Sequence, residues 1–141
     1  MAARPRENTE PAEHKEIPTA LTGMVLVVDD EQPVRDICTA IVEHFGFQAI
    51  GVADGIEALN TFGSKADEIA LVILDLTMPK MDGVRTFHEL KKIRPDVRVI
   101  LSSGYSEQSM SERFTGDRPS GFIQKPYQIQ ELQSKIAQVM G

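Results

Sequence analysis

The stretch "MVLVVDDE", residues 24–31, places five apolar residues directly before three acidic ones. A continuous apolar run of this length predicts a strand that is buried on both faces, as in a parallel sheet. The three acids repel one another at such short spacing, so their crowding needs a compensating positive charge nearby. The folded chain therefore has to supply a cation at the end of this strand.

Strands and helices are predicted to alternate five times after residue 23. Four more apolar runs predict strands at 47–52, 70–74, 97–102 and 121–124. Pro33, Asp54 and Asp82 mark the starts of three helices, and a polar fourth helix is predicted over about 106–114. This alternation is typical of an α/β fold with a doubly wound, five-stranded parallel sheet.

Four helices are predicted to turn an apolar face toward the sheet. Cys38, on the first helix, is interpreted as a packing residue, since the sequence holds no second cysteine and no obvious activating partner. The four faces comprise Val34, Ile37, Cys38, Ile41 and Phe45; Ile56, Leu59 and Phe62; Val84, Phe87 and Leu90; and Ile129, Leu132, Ile136 and Val139.

Composition favours one folded domain with a polar tail. The chain has 141 residues, 41% of them hydrophobic and 26% charged, with a net charge of -6. This acidity disfavours direct nucleic-acid binding, and the apolar runs are too short for membrane insertion. A single cysteine and no visible signal peptide fit a cytoplasmic protein. Residues 1–23, rich in proline and glutamate, predict a disordered tail or linker, and residues 24–141 the folded domain.

Polar residues follow four of the five predicted strands directly. The carboxyl ends of parallel strands meet at one edge of a sheet, so these side chains are predicted to converge there. A lone aspartate after a strand is usually a turn or helix cap, but capping does not explain three carboxylates with a lysine and a serine opposite. Such a cluster can bind a hard divalent cation such as Mg²⁺, while one carboxylate attacks a phosphoryl group. The residues are Asp29, Asp30, Asp75, Ser102, Ser103 and Lys125.

The motifs "VVDDE", "LDLTMPKMDG", "LSSGYS" and "GFIQKPY" occur in the order found in receiver domains of two-component response regulators. The chain resembles this family over about residues 24–140. The resemblance implies a flavodoxin-like receiver fold and a role as a phosphoprotein in a signal-transduction phosphorelay. The implied partners are a histidine kinase or histidine phosphotransfer domain and an unidentified downstream protein.

The resemblance also implies a role for individual residues. Asp75 corresponds to the phosphoacceptor, and Lys125 to the lysine that contacts the phosphoryl group. Mg²⁺ is expected on Asp30, Asp75 and the Thr77 carbonyl, with Asp29 acting through water. Further implied features are Ser103 as the switch hydroxyl, Phe122 as either the switch aromatic or an ordinary core residue, a cis Lys125–Pro126 bond, and Tyr105 as a brake on acyl-phosphate hydrolysis.

Two other functions deserve comparison with a phosphorylatable receiver. An aspartate-nucleophile phosphatase needs a second acid two residues after its nucleophile, where this chain has Thr77. A nucleotide- or flavin-binding module needs a glycine-rich loop after the first strand, where this chain has acids. The receiver is thus predicted to phosphorylate itself rather than to act as a turnover enzyme. Because Gly116 and Pro119 interrupt the fourth helix, the chain also resembles receivers of hybrid sensor histidine kinases, with the tail as interdomain linker.

Overall fold

Five parallel strands form one sheet in the order β2-β1-β3-β4-β5. The structure, a computed structural model, describes residues 23–76, 82–114, 116 and 118–140. The predicted five-stranded, doubly wound parallel sheet is confirmed. The elements are β1 Met24–Val28, α1 Gln32–His44, β2 Gln48–Val52, α2 Gly55–Lys65, β3 Ile69–Asp75, α3 Gly83–Ile93, β4 Val99–Ser103, α4 Glu107–Ser111, β5 Gly121–Gln124 and α5 Ile129–Met140.

Apolar side chains cover both faces of the sheet, which explains why its central strands are continuously apolar. Leu26 and Val28 of β1 belong to a core shared with α2, α3 and α4. Val25 and Val27 point the other way, into a core shared with α1 and α5. Burial of each strand on both faces fixes its register, because a slip by one residue would exchange the two faces. No helix of the described part is long and apolar enough to cross a membrane.

The predicted helix starts agree with the structure. Asp54 accepts a hydrogen bond from the Glu57 amide at 2.9 Å, and Asp82 accepts one from the Arg85 amide at 2.8 Å. Pro33 lies in the first turn of α1, where its missing N–H costs nothing. These caps begin α2 and α3 at the positions that the sequence predicts.

Three residues predicted to face inward are instead exposed. Ile37, Ile56 and Ile129 are 60%, 49% and 54% accessible. A helix buries only a stripe of its surface, and neighbouring residues fill that stripe: Cys38, Ile41 and Val42 in α1, and Leu132, Ile136 and Met140 in α5. The inward predictions for these three isoleucines were therefore wrong.

The fourth helix is shorter than predicted. It ends at Ser111 rather than at about residue 114, and Ser106 caps its start by accepting from the Ser109 amide at 3.1 Å. Beyond it the chain turns inward and buries Phe114 in the core beside Phe87.

Gly83 is the position where α3 meets the end of β3 most closely. Its amide donates to the Leu76 carbonyl at 2.8 Å, and an added Cβ would lie 2.5 Å from Leu76 Cα and 2.7 Å from the Asp75 carbonyl oxygen. These neighbours are backbone atoms, which cannot move aside as a flexible side chain would. Glycine at this position therefore allows the start of α3 to pack directly against the backbone at the end of β3, next to Asp75.

We expect Gly83→Ala to lower the free energy of unfolding by about 1–3 kcal/mol, as overpacking does in other cores. Gly63→Ala is the matched control, because nothing lies within 4 Å of a Cβ built at this position inside α2. Alanine there should be neutral or stabilise by up to about 1 kcal/mol, given its higher helix propensity. Urea denaturation of both variants measures the difference, and equal unfolding midpoints would contradict the close contact.

Candidate functional site

Three carboxylates converge at the carboxyl edge of the sheet. Asp29 and Asp30 follow β1, and Asp75 is the last residue of the neighbouring strand β3. One oxygen atom from each of the three lies within 4.8 Å of the others. Asp29 and Asp75 are buried, whereas Asp30 is exposed. The structure thus brings together the acids that the strand ends predict, with one of them facing solvent.

Lys125 supplies the positive charge that this acidic cluster requires. Its Nζ lies 2.7 Å from Asp29 Oδ2, 3.6 Å from Asp75 Oδ2 and 3.7 Å from Glu31 Oε1. Burial lowers the pKa of Lys125, but the hydrogen bond to Asp29 and the charges of Asp75, Asp29 and Glu31 outweigh burial and raise it. The ammonium group therefore stays protonated at neutral pH and offsets part of the repulsion among the acids.

Asp29 is fixed by contacts at every polar group. Its Oδ1 accepts from the Glu31 amide at 2.9 Å, and its backbone carbonyl accepts from Arg35 Nη1 at 2.7 Å. The Arg35 stem lies against Gly51 of β2, where an added Cβ would be 3.0 Å from Arg35 Cγ. The Asp29 amide donates to the Val52 carbonyl at 3.1 Å. The turn from β1 into α1 is consequently held in one conformation.

Ser103 lies on β4, the neighbour of β3, and Phe122 lies on β5, one strand farther from the acidic cluster. Ser103 is fully buried at the end of β4, where its Oγ accepts from the Tyr105 amide at 3.1 Å. Its carbonyl accepts from the Lys125 amide at 2.7 Å, which ties β4 to the lysine. Phe122 of β5 is partly buried and packs against the core shared with α2, α3 and α4. Tyr105 is 46% accessible, with the Arg113 guanidinium 4.8 Å from its ring centroid.

The Thr77 carbonyl, predicted as a metal ligand, lies outside the described residues, which omit 77–81. Its role stays a prediction. The Lys125–Pro126 peptide bond is cis, which confirms that expectation.

Sequence reasoning missed an aromatic contact beside Phe122. The Phe114 ring centroid lies 6.1 Å from that of Phe122 and 5.3 Å from that of Phe87, the latter pair edge to face. Phe114 is 5% accessible, so it is a core residue that bridges α3 and β5. The i, i+4 spacing of Met110 and Phe114, typical of one helix face, was the signal that could have found this position.

Cys38 also has an unforeseen partner. Its thiol interacts with the side chain of Tyr127, which lies in the segment after β5. Burial raises the pKa of Cys38 to about 11, and burial raises the pKa of Tyr127 as well. Cys38 is 1% accessible, so the packing role predicted for it is confirmed.

The chain matches the response regulator receiver domain family over residues 25–137. It belongs to that family. The recognition based on the four motifs is thereby confirmed, and the function is that of a phosphorylatable receiver domain in two-component signalling. Domains of this family interact with histidine kinases or phosphotransfer proteins. Membership also favours the receiver over the phosphatase and the nucleotide- or flavin-binding alternatives.

Individual receiver proteins show the same likeness. The chain is 32% identical over 124 residues to the sensor kinase CckA of Brucella abortus (strain 2308), covering 86% of this chain and 13% of CckA. The receiver domain of the hybrid histidine kinase CckA superposes with a TM-score of 0.71 and 29% identity, over 84% of this chain and all of that one (100%). The CheX–CheY–BeF3–Mg complex from Borrelia burgdorferi gives 0.77 and 30%, over 89% of this chain and 91% of that one. The receiver therefore spans only a small part of CckA.

We expect the Cys38 thiol to react very slowly with Ellman's reagent in the folded receiver at pH 8, because the reactive thiolate is scarce and the sulfur is covered. Full denaturant should release one reactive thiol per chain. Between pH 9.0, the ordinary pKa of a thiol, and about pH 11, the folded state keeps the thiol proton whereas the unfolded state loses it. The free energy of unfolding should therefore fall as the pH rises through that window. Rapid reaction without denaturant would show that the thiol is accessible.

Proposed function

We propose that Asp75 is the residue that accepts the phosphoryl group, from a phosphohistidine, in this receiver. The observation that carries the proposal is the placement of Asp75 at the centre of the site, beside two further carboxylates and 3.6 Å from the Lys125 ammonium. A carboxylate oxygen attacks phosphorus in line, the P–N bond to the histidine breaks, and an aspartyl phosphate forms. Lys125 contacts the oxygens of the transferred group and offsets their charge.

The three carboxylates fit Mg²⁺, which prefers oxygen ligands and keeps part of its water shell. Both oxygens of Asp29 already accept from protein donors, Lys125 Nζ and the Glu31 amide. Asp30 is exposed, which supports Asp30 and Asp75 as direct ligands and Asp29 as a ligand through water. The Thr77 carbonyl completes the proposed set. Bound Mg²⁺ would supply positive charge for the transferring phosphoryl oxygens.

Phosphorylation is proposed to change the surface through Ser103 and Phe122. Ser103 ends β4 next to Asp75, whose register partner on β4 is Ser102. A phosphoryl group on Asp75 gives the Ser103 hydroxyl a charged acceptor, and such hydrogen bonds are about twice as strong as neutral ones. Movement of Ser103 toward that acceptor would leave space beside the partly buried Phe122, whose rotation changes the surface of α4, β5 and α5.

An exposed apolar surface lies beside the site and suits the phosphodonor protein. We define it as the donor-side surface, formed by Val34 and Ile37 of α1 with Pro126 and Tyr127, and lined at its edge by Glu31 and Lys125. Ile129 and Ile37 continue it along α1 and α5. It is continuous with Lys125, so a histidine kinase or phosphotransfer domain docked there would bring its phosphohistidine to Asp75. This accounts for the exposure of two isoleucines that the sequence predicts to be buried.

The domain context forms part of the same proposal. The matched residues 25–137 support a receiver domain at 24–141 preceded by a tail at 1–23. The likeness to CckA supports origin in, or action with, a hybrid histidine kinase. We further propose that the receiver is cytoplasmic and that it acts on an unidentified downstream protein. We propose no direct contact with nucleic acid. Tyr105, exposed next to Ser103, is proposed to slow hydrolysis of the acyl phosphate.

Asp75→Asn should abolish incorporation of phosphate from acetyl phosphate in the presence of Mg²⁺, since the amide lacks the nucleophilic oxygen anion. Asp67→Asn is the matched control, because Asp67 is exposed before β3, at the opposite end of that strand. Mass spectrometry of the intact chain measures the added phosphoryl group, and chelation of Mg²⁺ should remove labelling of wild type and control alike. If the Asp75→Asn variant is labelled as fully as wild type, Asp75 is not the acceptor.

A further inference from the structure

Glu31 is the acid of the "DDE" stretch that stands apart from the metal-binding group. Within the described residues, the carboxylates clustered within 4.8 Å are Asp29, Asp30 and Asp75. Glu31 instead contacts the ammonium of Lys125, at 3.7 Å, with a side chain that is 62% accessible. It therefore lies on the solvent side of the lysine that faces an incoming phosphoryl group.

The backbone of Glu31 is held firmly in this position. Its amide donates to Asp29 Oδ1 at 2.9 Å, and its carbonyl accepts from the Arg35 amide at 2.9 Å as the cap residue of α1. The side chain borders the donor-side surface together with Lys125 and Pro126. The Glu31 carboxylate therefore lies at the edge of the surface that adjoins Lys125 and Asp75.

The charge of Glu31 weakens the attraction of Lys125 for anions. Lys125 Nζ lies 3.7 Å from Glu31 Oε1 and 3.6 Å from Asp75 Oδ2. Because both carboxylate oxygens contact the same nitrogen atom, they are close to each other. An anionic donor that reaches Asp75 must therefore come close to the Glu31 carboxylate. The Coulomb repulsion is twice as large for a dianion as for a monoanion at the same separation.

We propose that Glu31 is a selectivity residue that disfavours small dianionic phosphodonors at the Asp75 site. A protein donor gains binding free energy from the donor-side surface, formed by Val34, Ile37, Pro126 and Tyr127, which outweighs the repulsion. A small donor makes no such contacts and bears the full electrostatic cost. Glu31 thus favours transfer from a protein partner over uncontrolled phosphorylation by metabolites. The inference rests on the proposed function, because it requires phosphoryl transfer to Asp75.

Two small donors of different charge distinguish charge-based selection by Glu31 from other effects of substituting this residue. Acetyl phosphate carries two negative charges at neutral pH, and phosphoramidate carries one. In both reactions an Asp75 oxygen forms the new bond to phosphorus. The P–O bond to acetate breaks in the first, and in the second the P–N bond breaks and releases ammonia from an already protonated nitrogen. The two donors also differ in leaving group, so the readout is the change in the ratio of their rate constants when Glu31 is substituted, which cancels the leaving-group difference and reports donor charge.

We expect Glu31→Gln to raise the second-order rate constant for acetyl phosphate about threefold to tenfold at low ionic strength and saturating Mg²⁺. The rate constant for phosphoramidate should rise by a clearly smaller factor. Glu31→Asp, which keeps the charge, should retain a ratio of the two rate constants close to that of wild type. The chain contains no tryptophan, so mass spectrometry or radiolabel follows the reaction rather than tryptophan fluorescence.

Glu43→Gln is the matched control. It removes the same charge from an exposed position near the far end of α1, roughly 18 Å from Glu31 by helix rise. Its donor ratio should equal that of wild type. An unchanged ratio in Glu31→Gln, or equal acceleration by both donors, would overturn the selectivity role. If folded wild-type receiver is labelled by neither donor, the proposed function itself fails; if wild type is labelled and Asp75→Asn is not, a negative result for Glu31 affects this inference alone.

Discussion

The contact of Lys125 with Asp29 and Asp75 is the interaction on which the rest of the site depends. Buried carboxylates at this spacing repel one another, so the folded state needs a cation beside them. The sheet order provides the solution. β1 and β3 are neighbours, so their terminal acids lie side by side, while β5 stands beyond β4 and its lysine must reach across. Adjacent strands are about 4.8 Å apart, so β3 lies two spacings from β5, and a long side chain such as lysine is needed to approach Asp75 across β4.

The small residues at the end of β4 follow from the same constraint. Ser102 and Ser103 lie between the acids and the lysine, and both are buried. The end of β4 also contacts the lysine directly, because the Ser103 carbonyl accepts from the Lys125 amide at 2.7 Å. Gly51 of the edge strand β2 has a comparable role, because it makes room for Arg35 to hold the Asp29 carbonyl. The strand ends thus contribute either a charged group or the space that a charged group needs.

The sequence predicted the sheet and the convergence of the acids because both depend on local patterns. Continuous apolar runs indicate buried parallel strands, and the residues that follow such strands meet at one edge of the sheet whatever conformation the loops adopt. Contacts between distant segments could not be predicted in this way. Periodicity identifies apolar residues on a helix but not which neighbour is left exposed, as Ile37 and Ile129 show. The contact of Glu31 with Lys125 joins residues far apart in sequence and depends on the rotamers of both side chains.

The short fourth helix changes how a signal from the site would spread. α4 ends at Ser111, and Phe114, in the segment that follows, lies between Phe87 of α3 and Phe122 of β5. Interiors are closely packed, so a rotation of Phe122 requires the Phe114 ring to adjust, and that ring also contacts His88. Phosphorylation of a receiver built in this way would alter the α3 side of the surface as well as the α4–β5–α5 side.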